Sequence, residues 1–460
     1  MGYLFMTSKS NSIDMCNGPL LKNIVIFTVP VILSGVLQSL FSTVNMIVVG
    51  RHCGSMSLAA IGAVSSLTSL LIALFLGISV GAGVAVSHSI GSKNDSEVSR
   101  TVHTAVPLSF VCGLVLAVIG IIGTDYFLNL MKVPQNIFEL SAVYTRIYFV
   151  GIIPGMIYNF GSAILRAAGD TKAHLVSLVM GSIANILFSV IFVCMFDMDV
   201  GGAAWASVIG QSVSAFLILY VLGSRDDHCR FSFRRMRFYG NEVCKILRIG
   251  VPTGITDSFF GISAVIVQAS LNSLGDAVVS GTTAAGNIEA FIYIATHAFC
   301  QTNMTFIGQN AGAGNTKRIK KVFVLNVVLV SILSIVMGVG CRIAGRSLMG
   351  IYITDSAEAV EYGLIRMTIL FLPYILQGVM DVVIGGIIGL GYSTLPMIIS
   401  IISICGFRIL WISTVFKTVN TLENLFMCFP VSWALTLVLQ FLAFLYVFSK
   451  WRKKRSYTEL

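Results

Sequence analysis

Three carboxylates stand inside stretches otherwise apolar enough for a bilayer: Asp257, Glu289 and Asp381. A charged side chain at membrane depth costs roughly 2.5–3.5 kcal/mol on insertion scales, so it normally faces a cavity or a partner and marks an ion or substrate path. Asp381 lies near the middle of Met367–Pro396, where it is the one acid. Helical rise places Asp257 about 12 Å from the inner end of its span, and Asp381 about 15 Å from the inner end of an oppositely directed span. Similar depth is what a shared site for H⁺ or Na⁺ requires. The competing reading is that each acid is neutralised separately, for instance by Arg408.

Glu289, in Gly286-Asn-Ile-Glu-Ala-Phe, is a third ion-coupling candidate, or a helix-to-helix hydrogen-bonding group beside Asn287. His297 and Gln301 are one turn apart and fit the wall of a cavity, although a lone His is more often a satisfied structural donor. The first half offers amides and hydroxyls in place of acids: Gln38, Asn45, Asn185, Ser189, Ser207 and Gln211. Such groups commonly knit membrane helices together. Asn185, which shares a helix face with Ser189, is the exception. Gln38, Asn45, Asn185, Ser189, Asn287, His297 and Gln301 are the candidates for a substrate cavity. Pro30 interrupts the first span and frees a backbone carbonyl, which makes it a hinge candidate.

The elements that carry these residues are membrane spans. Of 460 residues, 56% are hydrophobic and only 11% charged; a water-soluble protein carries about 25% charged residues. Twelve apolar runs reach the roughly 20 residues that a span needs. Their order predicts an all-α integral membrane protein of twelve transmembrane helices. Of thirty Lys and Arg, twenty-two fall on the side of the N-terminus and five on the other, which places both termini in the cytoplasm. The net charge of +10 is therefore a topology signal and excludes a nucleic-acid partner. Ten scattered Cys form no C-x-x-C pair, so neither disulfides nor a metal site are expected, and the N-terminus lacks a signal-peptide pattern.

Landmarks recur at a fixed offset. Val29-Pro30 returns as Val251-Pro252, Gly91-Ser-Lys-Asn94 as Gly312-Ala-Gly-Asn315, and Gly169-Asp-Thr-Lys as Gly391-Tyr-Ser-Thr. A duplicated six-span unit gives two six-helix lobes related by a pseudo-two-fold along the membrane normal. The expected divisions are a cytoplasmic segment 1–22, an N-lobe 23–224, a basic linker 225–248, a C-lobe 249–449 and a basic tail 450–460. Neither a phosphate-binding G-x-x-x-x-G-K-[ST] loop nor an H-E-x-x-H zinc motif nor a G-x-S-x-G elbow occurs, so an enzyme is not expected.

Val29-Pro30 with Val48-Val-Gly-Arg51, Ala163-Ile-Leu-Arg-Ala-Ala-Gly-Asp170, Gly202-Ala-Ala204, Gly250-Val-Pro252, Phe306-Ile-Gly-Gln-Asn310 and Gly389-Leu-Gly-Tyr-Ser393 occur in an order that resembles the multidrug and toxic compound extrusion (MATE) transporters over essentially the whole chain. The resemblance implies a monomeric secondary antiporter in a bacterial plasma (inner) membrane, without cofactor. It would export amphipathic, cationic drugs or metabolites against H⁺ or Na⁺ entry by alternating access of two lobes. The family's first-span acid falls on Asn45 and its fifth-span acid on Ser189, with the nearby family Asn kept as Asn185; this moves the coupling site toward the C-lobe acids. The alternative is a flippase for a lipid-linked precursor, for which a basic cavity would be expected.

Overall fold

The computed structural model describes residues 12–354 and 356–458; the first eleven residues, with Lys9, and the last two of the basic tail lie outside the described residues. A chain this apolar must satisfy its peptide groups internally wherever lipid surrounds it, and the helix does so within one segment. No strand occurs among the described residues. The first half is built from α1 (Leu20–His52), α2 (Gly54–Gly91), α3 (Asp95–Leu130), α4 (Gln135–Ala167), α5 (Thr171–Met195) and α6 (Asp199–Gly223).

The second half repeats the series with α7 (Gly240–Asn272), α8 (Asp276–Ala313), α9 (Thr316–Ile343), a two-piece α10 (Ala357–Leu370 and Tyr374–Gly389), α11 (Thr394–Phe416) and α12 (Leu422–Thr458). Ten of these are long and apolar enough to cross a membrane, eleven if the two pieces of α10 make one span. The remaining helix is α8, which at 38 residues has the length but carries Asp276, Glu289, His297 and several amides. The protein is thus an all-α, multi-pass membrane protein. Pro30 and Pro252 sit inside unbroken helices, whereas α10 bends by 50° at a break just before Tyr374, where Pro373 cannot supply a helical N–H.

The duplication is visible in local backbone conformation. Gly169 and Gly391 both take positive φ, +82° and +89°, at matching turns. Gly54 and Gly275 do likewise, at +84° and +107°. Asn94 caps α3 by accepting from Glu97 N, and Asn315 caps α9 by accepting from Arg318 N; each satisfies an N–H that the first helical turn leaves free. α5 ends in a π-helical stretch over Val190–Met195 and α11 in one over Ile412–Phe416.

Two compact units result, one of residues 1–18 and 29–254, the other of 19–28 and 255–460. These bounds differ from the lobes read off the sequence. Residues 225–248 do not form a free linker: Phe231 is buried in the first unit, and 240–248 already belong to α7. The first half of α7 packs in that unit because Gly77 and Gly81 of α2 meet Gly250 and Gly254 backbone to backbone. A Cβ on Gly77 would lie 2.1 Å from Gly254 N. The start of α1 belongs to the second unit, where Thr28 Oγ1 lies 2.9 Å from Thr302 Oγ1 and Phe27 packs edge-on to Phe306. The division of α1 falls beside Pro30 and that of α7 beside Pro252. α12 continues into the basic tail as far as Thr458, and Arg455 Nη1 donates to the Ala311 carbonyl.

Candidate functional site

The second unit gathers charge. The eighth and tenth helices lie against each other because α10 is small-sided: a Cβ on Gly385 would come 2.5 Å from the Cys300 carbonyl oxygen, and one on Gly389 would come 2.7 Å from that of Met304. With the two backbones in register there, one turn further along α10 brings Asp381 to His297. Asp381 is 7% exposed. Its Oδ1 accepts from Gln377 Nε2 at 3.1 Å, and its Oδ2 lies 3.7 Å from His297 Nδ1. The His297 side chain is 39% exposed, which gives the buried carboxylate a neighbour open to the accessible surface.

Asp257 of α7 is itself exposed and lies within electrostatic range of both His297 and Asp381. Below the acid, Asn326 Nδ2 donates to Asn303 Oδ1, and Asn303 Nδ2 donates to the Val382 carbonyl at 2.7 Å. These amides fix the backbone on which Asp381 stands. Among the described residues no three His, Cys, Asp or Glu converge closely enough to hold a metal ion.

Glu289 is placed differently. Arg366 donates to its Oε2 through Nε (3.0 Å) and Nη2 (2.9 Å), Tyr374 donates to Oε1, and Arg366 also reaches the Thr282 carbonyl. Both charged side chains are largely buried, and the guanidinium also lies over Phe426. Arg408, considered as a neutraliser of the aspartates, bonds Ser432 Oγ instead and stacks on Phe429 with 4.1 Å to the ring centroid. Asn287 is exposed beside Glu289, and Gln301 is half-buried one turn beyond His297.

The first unit gathers amides, hydroxyls and rings around a cavity of about 620 Å³. Gln38 and Asn45 of α1, Asn159 of α4, Asn185 of α5, and Ser207 and Gln211 of α6 supply its polar atoms. Asn185 is positioned by the close approach of α5 and α6 at Gly210, where a Cβ would lie 2.7 Å from that of Asn185, and it donates to Ser207 Oγ at 3.2 Å. The Asn45 Oδ1 is buried without a hydrogen-bond partner among the described residues. Tyr144 and Tyr148, stacked with centroids 5.8 Å apart, and Tyr158 and Phe41 supply aromatic wall. Among the described residues, no Asp, Glu, Lys, Arg or His lines the cavity.

Of the seven substrate-cavity candidates, the structure thus brings Gln38, Asn45 and Asn185 to one wall. Ser189 is buried on α5 and does not line it, and Asn287, His297 and Gln301 belong to the other unit. The tyrosines were missed, although their spacing at positions 144 and 148 already puts them on one helix face.

The sequence signature of the MatE family matches twice, over residues 30–191 and 252–412. The two matches begin 222 residues apart, the interval of the internal repeat. The chain is 27% identical over 445 residues to the "Probable multidrug resistance protein YoeA" of Bacillus subtilis, covering 94% of this chain and 95% of that protein. It is 22% identical over 388 residues to the "FAD transporter" of Shewanella oneidensis, covering 82% and 84%. A crystal structure described as "MATE in complex with MaL6" superimposes with a TM-score of 0.89 at 20% identity, over 97% of this chain and all of that one.

Proposed function

The chain belongs to the MatE family of multidrug efflux transporters, is no enzyme, and on that premise we propose that it is a secondary antiporter exchanging an amphipathic solute for H⁺ or Na⁺ by alternating access of its two lobes. The observation that carries this reading is the contact of Asp381 with His297, with Asp257 in electrostatic range, in a unit separate from the uncharged cavity. Ion and cargo are then handled by different residues, Asp257, Asp381 and His297 for the first and the Tyr144, Tyr148, Asn45 and Asn185 wall for the second. Glu289, once a coupling candidate, serves as the fixed counter-charge of Arg366. A planar aromatic cargo, cationic or neutral, is held by ring faces and amides, since cations are attracted to aromatic faces without a carboxylate.

One elementary charge moving through 100 mV supplies about 2.3 kcal/mol, which sustains roughly a fifty-fold solute gradient at about 1.4 kcal/mol per tenfold. The site works in the plasma membrane with both termini in the cytoplasm, the orientation that the Lys and Arg distribution favours. The lining of the 620 Å³ cavity counts against a flippase for a lipid-linked precursor, because none of its described residues is a basic side chain that could receive a pyrophosphate. The test is solute efflux from proteoliposomes under separately imposed H⁺ and Na⁺ gradients. Acceleration by one of them is expected; transport indifferent to both overturns the proposal.

A further inference from the structure

The segment between α6 and α7 lies outside the proposed ion and cargo sites. It is pinned to α3 at two points. Ser232 N donates to His103 Nε2 at 3.1 Å, which leaves the ring hydrogen on Nδ1 for the Ser99 carbonyl at 2.7 Å. Phe231 packs on the same imidazole, 5.6 Å between ring centroids. Further on, Thr104 Oγ1 donates to the Arg237 carbonyl and accepts from Tyr239 N. The turn held between these points has one composition throughout: Arg234, Arg235 and Arg237 alternate with Phe233, Met236 and Phe238, and all six are exposed.

Those three arginines, with Arg100, His103 and Tyr239, surround a pocket of about 250 Å³ that no carboxylate lines. Two other cations of this region are paired: Arg225 with Asp227 and Asp170, and Lys245 with Glu97 and Glu242. Among the described residues, Arg234, Arg235 and Arg237 have no such ion pair. Four guanidinium groups around one pocket repel one another unless an anion sits between them, and their planar forks match the oxygens of a phosphate. Phe233, Met236 and Phe238 are 69%, 41% and 53% exposed. Apolar side chains interleaved with arginine beside two helix ends suit the boundary between headgroups and acyl chains, where a soluble anion would gain nothing from them.

We infer that the pocket formed by Arg100, Arg234, Arg235 and Arg237 binds the phosphate of an anionic phospholipid headgroup, with Phe233, Met236 and Phe238 dipping into the adjoining acyl region. The full-length protein, purified in detergent, is titrated with fluorescent phosphatidylglycerol, with phosphatidylcholine of the same chain length, and with inorganic phosphate. Phosphatidylglycerol binding is expected to weaken about tenfold or more in Arg234→Gln/Arg235→Gln/Arg237→Gln, while phosphatidylcholine binding does not change.

The matching triple Lys variant keeps the charge and the topology signal but lacks the bidentate fork, so it should restore binding only in part. Phe233→Ser should weaken phosphatidylglycerol and leave any effect of inorganic phosphate untouched. Equal affinity of wild type and both triple variants for phosphatidylglycerol overturns the proposal. So does displacement of the lipid by inorganic phosphate at comparable concentration, which identifies a soluble-anion site. If the Gln variant does not fold, the comparison of wild type with the Lys variant and with Phe233→Ser decides the matter on the same readout.

Discussion

The two halves of the chain carry the same family signature but differ in chemistry. At the tenth helix the second unit places Asp381 against His297, whereas the first unit surrounds its cavity with Asn45, Asn185, Gln211 and a tyrosine pair. Both halves keep the same structural devices, including glycine-mediated helix contact, asparagine caps and positive-φ turns. The two halves thus share a scaffold, and the proposed division between ion and cargo rests on a handful of side chains. Buried charge needs a partner or a path to water, so the unit with carboxylates also carries the paired and stacked arginines Arg366 and Arg408.

The largest effect should follow from removing the counter-charge of a buried arginine. Glu289→Ala leaves Arg366 buried without its counter-charge, a loss of about 3–5 kcal/mol. Thermal melting should fall steeply, and lowering Arg366 at the same time (Glu289→Ala with Arg366→Met) should recover much of it. If Glu289→Ala melts like wild type but loses ion coupling, Glu289 belongs with Asp381 in the ion path.

Gly385→Val is next. It drives new atoms into the Cys300 carbonyl, an overpacking worth roughly 1–3 kcal/mol, and it separates Asp381 from His297. Gradient-driven efflux should collapse while cargo binding in the first unit survives, as read by equilibrium dialysis of a fluorescent substrate. Loss of both together would show that ion and cargo do not have separate seats.

Tyr148→Ala removes one aromatic face from the cavity wall; a ring contact to a planar cargo is worth about 0.5–1.5 kcal/mol beyond the area lost, so cargo affinity should fall roughly two- to twelvefold. Ion uptake per solute exported should not change. An altered ratio in a stoichiometry measurement would contradict the division between the units.

The smallest effect is a control away from both sites. Burial raises the Asp227 carboxyl, but the hydrogen-bonded Arg225 guanidinium outweighs it and holds the group below its usual range. A lowered folded-state value adds stability above the unfolded value, and that stability is lost as pH falls through the folded one. Asp227→Asn should therefore lower the melting point slightly at neutral pH, by less than about 1 kcal/mol for so exposed a carboxylate. The gap should narrow in acid, with transport unaffected. A gap that widened on acidification would assign the stability to another group.

Much of this was legible in the chain. Apolar run lengths gave the helices, and Pro30/Pro252 with Gly169/Gly391 marked the repeat, because those residues respond to local backbone needs that any copy of the fold shares. Asp257 and Asp381 are each readable as charges costly in lipid, and His297 as a residue of a cavity wall. Their gathering was not readable in the same way, since it depends on Gly385 and Gly389 meeting Cys300 and Met304 across two distant helices. For the same reason the Arg366 partner of Glu289 was invisible: 77 residues separate them. The division into compact units differs from the expected lobes because no local signal reports that the first half of α7 packs on Gly77 and Gly81.

The claim on which everything else rests is that Asp381 takes up the driving ion. The direct measurement is efflux from proteoliposomes containing Asp381→Asn, scored beside solute binding and gradient-free solute exchange in the same preparation. The account predicts binding and exchange near wild type, with acceleration by the imposed ion gradient abolished. Acceleration equal to wild type in that variant would remove Asp381 from the mechanism.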